Sequence, residues 1–280
     1  MSISFRCIDL PEYYLTRVET AILKNEAPRI IELCPTDLSL VELGSGSSTK
    51  SRYLIEPCLV RQNELTYYAI DISEDGLRNG VAQLLREYPQ LRVLGLVGEF
   101  DDGLNYLARQ ASGPRLVVFL GSTVGNFTEE VIVRFFTMLR RQLRPTDRFL
   151  LGVDLLKDPA VLEAAYDDSQ GITAKFNLNI LTRLNRELSA TFDLEAFRHR
   201  AVFNRDRSRI EMHLISLRNQ RVRIGDLGLD IEFREGETIH TENCHKYSRE
   251  RMESLLADHG FRVLACCTDP QGQFCLFLVS

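Results

Sequence analysis

No apolar run in this 280-residue chain approaches the roughly 20 residues that a membrane-spanning helix requires. The N-terminus lacks the basic-then-apolar pattern of a secretory signal, so the expected address is cytoplasmic. Lysine is scarce, occurring only at 24, 50, 157, 175 and 246, and the arginines are scattered. With a net charge of -5, the chain lacks the basic stripe of a nucleic-acid binder. None of its seven cysteines, at 7, 34, 58, 244, 266, 267 and 275, form a C-x-x-C pair. Neither a disulfide framework nor a zinc knuckle is indicated, and Cys58, Cys266 and Cys275 read as small core residues of a reducing compartment. His240, Glu242, Cys244 and His245 carry metal-capable side chains. Strand alternation would put the first three on one face and His245 on the other, and no metal is assigned. The composition, 44% apolar and 26% charged, is ordinary for a globular protein with a full core.

The middle of the chain alternates strand and helix signals, which predicts a parallel sheet with crossover helices. Strands are expected over 38–43, 66–71, 91–97, 115–120 and 148–154. Helices are expected from about 49, from a Ser73 cap to 87, over 104–111 and over 129–143. After Asp154 the rhythm changes to helices over 158–167 and 172–188. Four alternating segments follow, over 199–203, 209–217, 222–233 and 237–244, reading as an antiparallel block inserted into the parallel fold. A Ser248-capped helix to 259 leads into strands 261–268 and 274–279, joined by the turn Asp269-Pro270-Gln271-Gly272. A parallel sheet that closes on an antiparallel terminal hairpin is the usual shape of Rossmann-like methyltransferases.

The first strand ends in Glu42-Leu43-Gly44-Ser45-Gly46-Ser47, where glycine lets the backbone approach a ligand closely. A dinucleotide fingerprint would need glycine at 49, where Thr49 stands. That weakens a nicotinamide reading and leaves S-adenosylmethionine, which has no pyrophosphate, as the expected cofactor. Asp71, at the end of the second strand, reads either as an acceptor for two ribose hydroxyls or as a helix-capping or solvated acid. Glu99-Phe100, after the third strand, reads either as an adenine subsite or as a solvated acid beside a core ring. Asn126 would hold a substrate carboxylate or cap the next helix, and on spacing alone the cap is favoured.

The stretch Gly121-Ser122-Thr123-Val124-Gly125-Asn126-Phe127 resembles the signature of the histidine Nα-methyltransferases of ergothioneine biosynthesis. Asp154-Leu155-Leu156-Lys157-Asp158-Pro159, Ala165-Tyr166-Asp167-Asp168, Arg209-Ile210-Glu211-Met212 and Thr241-Glu242-Asn243-Cys244-His245-Lys246 continue the likeness, which runs from about Leu10 to the C-terminus. The resemblance implies an α/β fold, a Rossmann-like class I methyltransferase with an inserted α+β substrate-binding domain. Its parts would be an N-terminal segment 1–27 contributing to the substrate domain, a core of 28–156 and 247–280 that binds S-adenosylmethionine, and an insert 157–246. It implies a donor site of Gly44, Ser45, Gly46, Asp71, Glu99 and Phe100, although similar members usually carry Asp where Glu99 stands. Gly121 would lie near the substrate amine, and Asn126 and Tyr166 would hold the carboxylate. Met212 would line the side-chain pocket, Glu242 would accept from the imidazole N–H, and Cys244 replaces a serine typical of the family. Members also carry a further N-terminal segment with a tyrosine near the amine. A partner protein supplying it has no support in the sequence. The expected substrate is a free amino acid, L-histidine, converted to its trimethyl betaine, with no nucleic-acid or membrane partner. Competing readings are another amino acid or an indole-type amine, and a non-catalytic subunit that binds S-adenosylmethionine.

Overall fold

The computed structural model describes residues 10–110 and 113–280. The chain forms two compact units, residues 10–16 with 156–246, and 17–155 with 247–280.

The larger unit is built on a seven-stranded sheet. Its strands are β1 (Ser39–Leu43), β2 (Leu65–Asp71), β3 (Leu91–Val97), β4 (Arg115–Phe119), β5 (Arg148–Asp154), β11 (Val263–Thr268) and β12 (Phe274–Val279). Their order is β11-β12-β5-β4-β1-β2-β3, with β1 to β5 parallel to one another and β12 antiparallel to both β5 and β11. Strands β4 and β12 are buried along their whole length, as strands covered by helices on both faces must be. The order reverses at β1/β4, and the carboxyl ends of those strands are where open α/β sheets bind ligands.

Helices α1 (Tyr14–Glu32), α2 (Arg52–Gln62) and α3 (Glu74–Glu87) cover one face, burying Ile22, Leu23, Ile30, Leu54, Ile55 and Leu84 with Leu40 and Tyr67 of the sheet. Helices α4 (Phe100–Gln110), α5 (Glu129–Gln142) and α8 (Arg249–Asp258) cover the other, around Leu104, Phe135, Phe136, Met252, Val41 and Phe149. Ser73, Thr128 and Ser248 cap α3, α5 and α8 by accepting a backbone N–H three residues on. The end expected for α4 at Ala111 lies outside the described residues. Cys275 is buried as expected, and its sulfur lies against that of Cys266 across the β11–β12 pair. Among the described residues no helix is long and apolar enough to cross a membrane.

The smaller unit contains α6 (Pro159–Tyr166), α7 (Ile172–Glu187) and strands β6 (Phe197–Asn204), β7 (Arg209–Ser216), β8 (Gln220–Ile224), β9 (Leu229–Phe233) and β10 (Thr238–His245). Strands β6, β7 and β10 form an antiparallel sheet of order β10-β7-β6, and β8 pairs with β9 separately. The segment expected as one strand over 222–233 is therefore a hairpin, turned at Gly225–Leu227. The burial of β7 alternates strictly, with Ile210, Met212 and Leu214 inward and Glu211 and His213 outward. Strand β10 breaks that alternation. A bulge between His240 and Glu242 sets His240 opposite outward His213, while Glu242 stands opposite inward Met212 and Cys244 opposite Ile210. The expectation that His240, Glu242 and Cys244 share one face is corrected by that extra residue.

Candidate functional site

In the larger unit the Gly loop leaves β1 with Gly44 at φ +69° and Gly46 at φ +51°, a region in which side chains with a Cβ are strained. The Gly44 N–H donates to the Ile70 carbonyl at 2.9 Å, which ties the loop to the end of β2. Asp71 then does two things. Its Oδ2 accepts from the Gly46 N–H at 2.7 Å and its Oδ1 accepts from the Ser73 N–H at 2.8 Å. Ser73, not Asp71, caps α3, so the helix-cap reading of Asp71 does not hold. The Phe100 ring lies 3.9 Å from where a Gly44 Cβ would stand, and it packs edge-to-face on Phe119 at 5.3 Å. Glu99 is exposed beside it.

Two residues shape this loop from behind, Gly80, which sequence reasoning missed, and Glu42, which it named only as the start of the loop. Gly80 of α3 packs so closely that a Cβ there would stand 2.9 Å from the Ser47 carbonyl carbon and oxygen. The helix-to-loop packing that a third fingerprint glycine supplies in dinucleotide folds is here supplied from α3. Glu42 is fully buried, accepts hydrogen bonds from Ser51 and Tyr67, and is pushed up to about 7, chiefly by desolvation. Ser45 is buried with an unpartnered Oγ. An orphaned hydroxyl beside two glycines with positive φ fits a loop whose remaining partner is a bound ligand.

At the end of β4, Gly121 has φ +76° and its N–H donates to Glu19 Oε1 at 2.7 Å. Glu19 is wholly buried on α1, and its Oε2 takes Lys50 Nζ at 2.5 Å. This bridge ties the segment after the Gly loop to the Gly121 turn, and nothing in the sequence spacing signals it. Ser122 Oγ accepts from the Asp154 N–H at 2.9 Å. Asn126 closes a 3₁₀ turn over Thr123–Asn126 and is exposed. Thr128 is the residue that caps α5, so the favoured cap reading of Asn126 is overturned.

The smaller unit gathers Tyr166, Cys244 and Lys246. Tyr166 Oη donates to Cys244 Sγ at 3.0 Å, while Lys246 Nζ donates to Tyr166 Oη at 2.9 Å and to Cys244 Sγ at 3.1 Å. Lys246 is only 2% exposed and lies over the Tyr166 ring. His199 fixes the Tyr166 backbone. Its Nε2 is assigned as donor to the Tyr166 carbonyl at 2.8 Å, and its Nδ1 as acceptor from buried Asn177 at 2.9 Å. Burial raises the Glu242 carboxyl above the usual range, and the Lys246 ammonium opposes that shift. Lys246 stands within a family-like stretch of the sequence but was given no role there, and neither were His199 and Asn177, because a buried cation or imidazole is recognised only by its partners.

A glycine loop closing β1, an acid closing β2 and a parallel sheet ending in antiparallel β12 define a class I methyltransferase dependent on S-adenosylmethionine. The family described as "Histidine-specific methyltransferase, SAM-dependent" matches residues 5–280. The histidine N-alpha-methyltransferase of Mycolicibacterium smegmatis is 43% identical over 271 residues, covering 96% of this chain and 83% of that protein. That of Mycobacterium tuberculosis is 41% identical, covering 97% and 84%. Ergothioneine biosynthesis protein 1 of Neurospora crassa is 31% identical over 90% of this chain and 28% of its own length. The chain belongs to the histidine-specific family of methyltransferases that use S-adenosylmethionine.

Proposed function

We propose that this chain transfers methyl groups from S-adenosylmethionine to the α-nitrogen of free L-histidine, yielding the trimethyl betaine of ergothioneine biosynthesis. The observation that carries this reading is the pairing of Glu242 with Met212 on the inward face of the β10–β7 pair, in the unit that holds the Tyr166–Cys244–Lys246 cluster. A half-buried carboxylate whose anion is supported by Lys246 suits an imidazole N–H and is a poor wall for an indole.

In this reading Gly44, Ser45 and Gly46 line the donor subsite, with the Ser45 hydroxyl directed at the bound ligand. The two Asp71 oxygens spend one lone pair each on Gly46 and Ser73, leaving one apiece for the ribose hydroxyls. Glu99 accepts from the adenine amine and Phe100 covers the ring. Gly121 borders the acceptor amine, Asn126 binds the carboxylate, Tyr166 joins it by turning its O–H from Cys244 to the ligand, and Cys244 offers its weak S–H donor to the second imidazole nitrogen. When bound, S-adenosylmethionine supplies an electrophilic methyl on sulfonium. The amine loses a proton to solvent, its lone pair forms the N–C bond, and the C–S pair leaves with S-adenosylhomocysteine. The protein's contribution is to hold donor and acceptor in line.

A single-turnover reaction with methyl-labelled donor tests this reading. Label recovered in the α-nitrogen of histidine is expected. Label found only in tryptophan or another amino acid from an equimolar mixture would refute the substrate assignment.

A further inference from the structure

The outward face of the three-stranded sheet carries a second group of side chains that methyl transfer leaves unused. Glu211 and His213 on β7 and His240 on β10 present ligand-capable atoms that all lie within 4.8 Å of one another. The two imidazoles stack, with ring centres 4.7 Å apart and planes 25° apart, and His213 and His240 are paired across the strands. Glu211 Oε2 stands 3.5 Å from His213 Nε2. Two ligand atoms each about 2.05 Å from a tetrahedral centre would be separated by about 3.3 Å. We infer that Glu211, His213 and His240 form a binding site for a borderline divalent cation such as Zn²⁺ or Co²⁺, bridging β7 and β10.

The surroundings favour ligation. Arg209 and Asn204 both donate to Glu211 Oε1, at 2.8 and 3.1 Å, which orients the carboxylate and leaves Oε2 free of them. His213 Nδ1 is buried with no hydrogen-bond partner. His240 Nε2 lies 3.1 Å from the Glu242 carbonyl. A proton placed there leaves Nδ1 with its lone pair, the arrangement that orients ligating imidazoles. His240 is exposed, so solvent can fill the remaining positions.

The charge balance selects the metal class. The facing groups are one carboxylate against the guanidinium groups of Arg209 and, on β6, Arg200 opposite His213. A hard cation held by charge alone gains little there, whereas imidazole coordination suits zinc, cobalt, nickel or copper. The bridge would close across the bulge between His240 and Glu242, next to the strand pair that carries Met212 and Glu242.

The test is titration of tag-free, chelator-treated full-length protein with Co²⁺, followed by visible absorption, and with Zn²⁺ in competition with a chromophoric chelator. One equivalent is expected, unaffected by excess Mg²⁺, with affinity falling by about ten-fold or more in His240→Ala and in His213→Ala. His240→Ala alters an exposed side chain, so the test survives if the His213 variant folds poorly. Absence of stoichiometric binding, or unchanged affinity in His240→Ala or in a folded His213→Ala, overturns the inference.

Discussion

Replacing Gly80 with alanine sets two effects of known sign against each other. Alanine inside an exposed helix is favoured over glycine by about 1 kcal/mol. Against that, the new Cβ would stand 2.9 Å from the carbonyl carbon and oxygen of Ser47 and 3.3 Å from the Gly46 oxygen. These are backbone atoms of the donor loop, so no side chain can rotate away. Restoring ordinary contact requires a relative shift of at least about half an ångström, and overpacking of this kind costs about 1–3 kcal/mol. Gly80→Ala is therefore net destabilising by up to about 2 kcal/mol. Because the loop itself must move, affinity for S-adenosylhomocysteine should fall about ten-fold, equivalent to about 1.4 kcal/mol. Calorimetric titration and urea denaturation measure the two effects. Asn79→Ala, on the exposed side of the same helix, serves as the control with propensity alone. A Gly80→Ala protein that is more stable than wild type and binds S-adenosylhomocysteine equally well would refute the packing argument.

Glu42→Gln isolates a pH effect. The folded carboxyl, at about 7, lies above its ordinary value of 4.5, so the folded state binds the extra proton. Its stabilising contribution is full below 4.5 and is lost as pH rises through about 7, a swing of about 3 kcal/mol. Wild-type stability minus variant stability should fall by that amount across the window, and a flat difference contradicts the reading. Asp71→Ala removes the acceptor of two backbone N–H groups and should weaken S-adenosylhomocysteine binding about 10-fold or more in calorimetry. Under the proposed function, Glu242→Ala should raise KM for histidine far more than KM for the donor, and equal losses would sink the imidazole role. Lys246→Met removes the cation that opposes the raised pKa of Glu242, so the acidic limb of kcat/KM for histidine should move to higher pH.

The parallel core was legible because each strand is a short apolar run followed by a capped amphipathic helix, and Ser73 and Ser248 cap where the sequence says they should. Helix α1 was not, since Pro28 interrupts its pattern and no cap marks its start. The hairpin at Gly225–Leu227 was read through as one strand because β-forming residues flank it on both sides. The bulge in β10 leaves no trace in composition, yet it decides that Glu242 turns inward with Met212 while His240 turns outward. On the candidate site, the Gly loop and Asp71 were visible by motif and position. Glu19, Lys50, Gly80 and Lys246 act through contacts made over long sequence separations, which spacing arguments cannot reach.

The most direct test of the account is mass spectrometry of a panel of free amino acids incubated with the protein and S-adenosylmethionine. The account predicts that histidine alone gains one, two and finally three methyl groups, with S-adenosylhomocysteine released in equal number. Methylation of a different amino acid with histidine untouched, or donor turnover without any methylated amino acid, would contradict it.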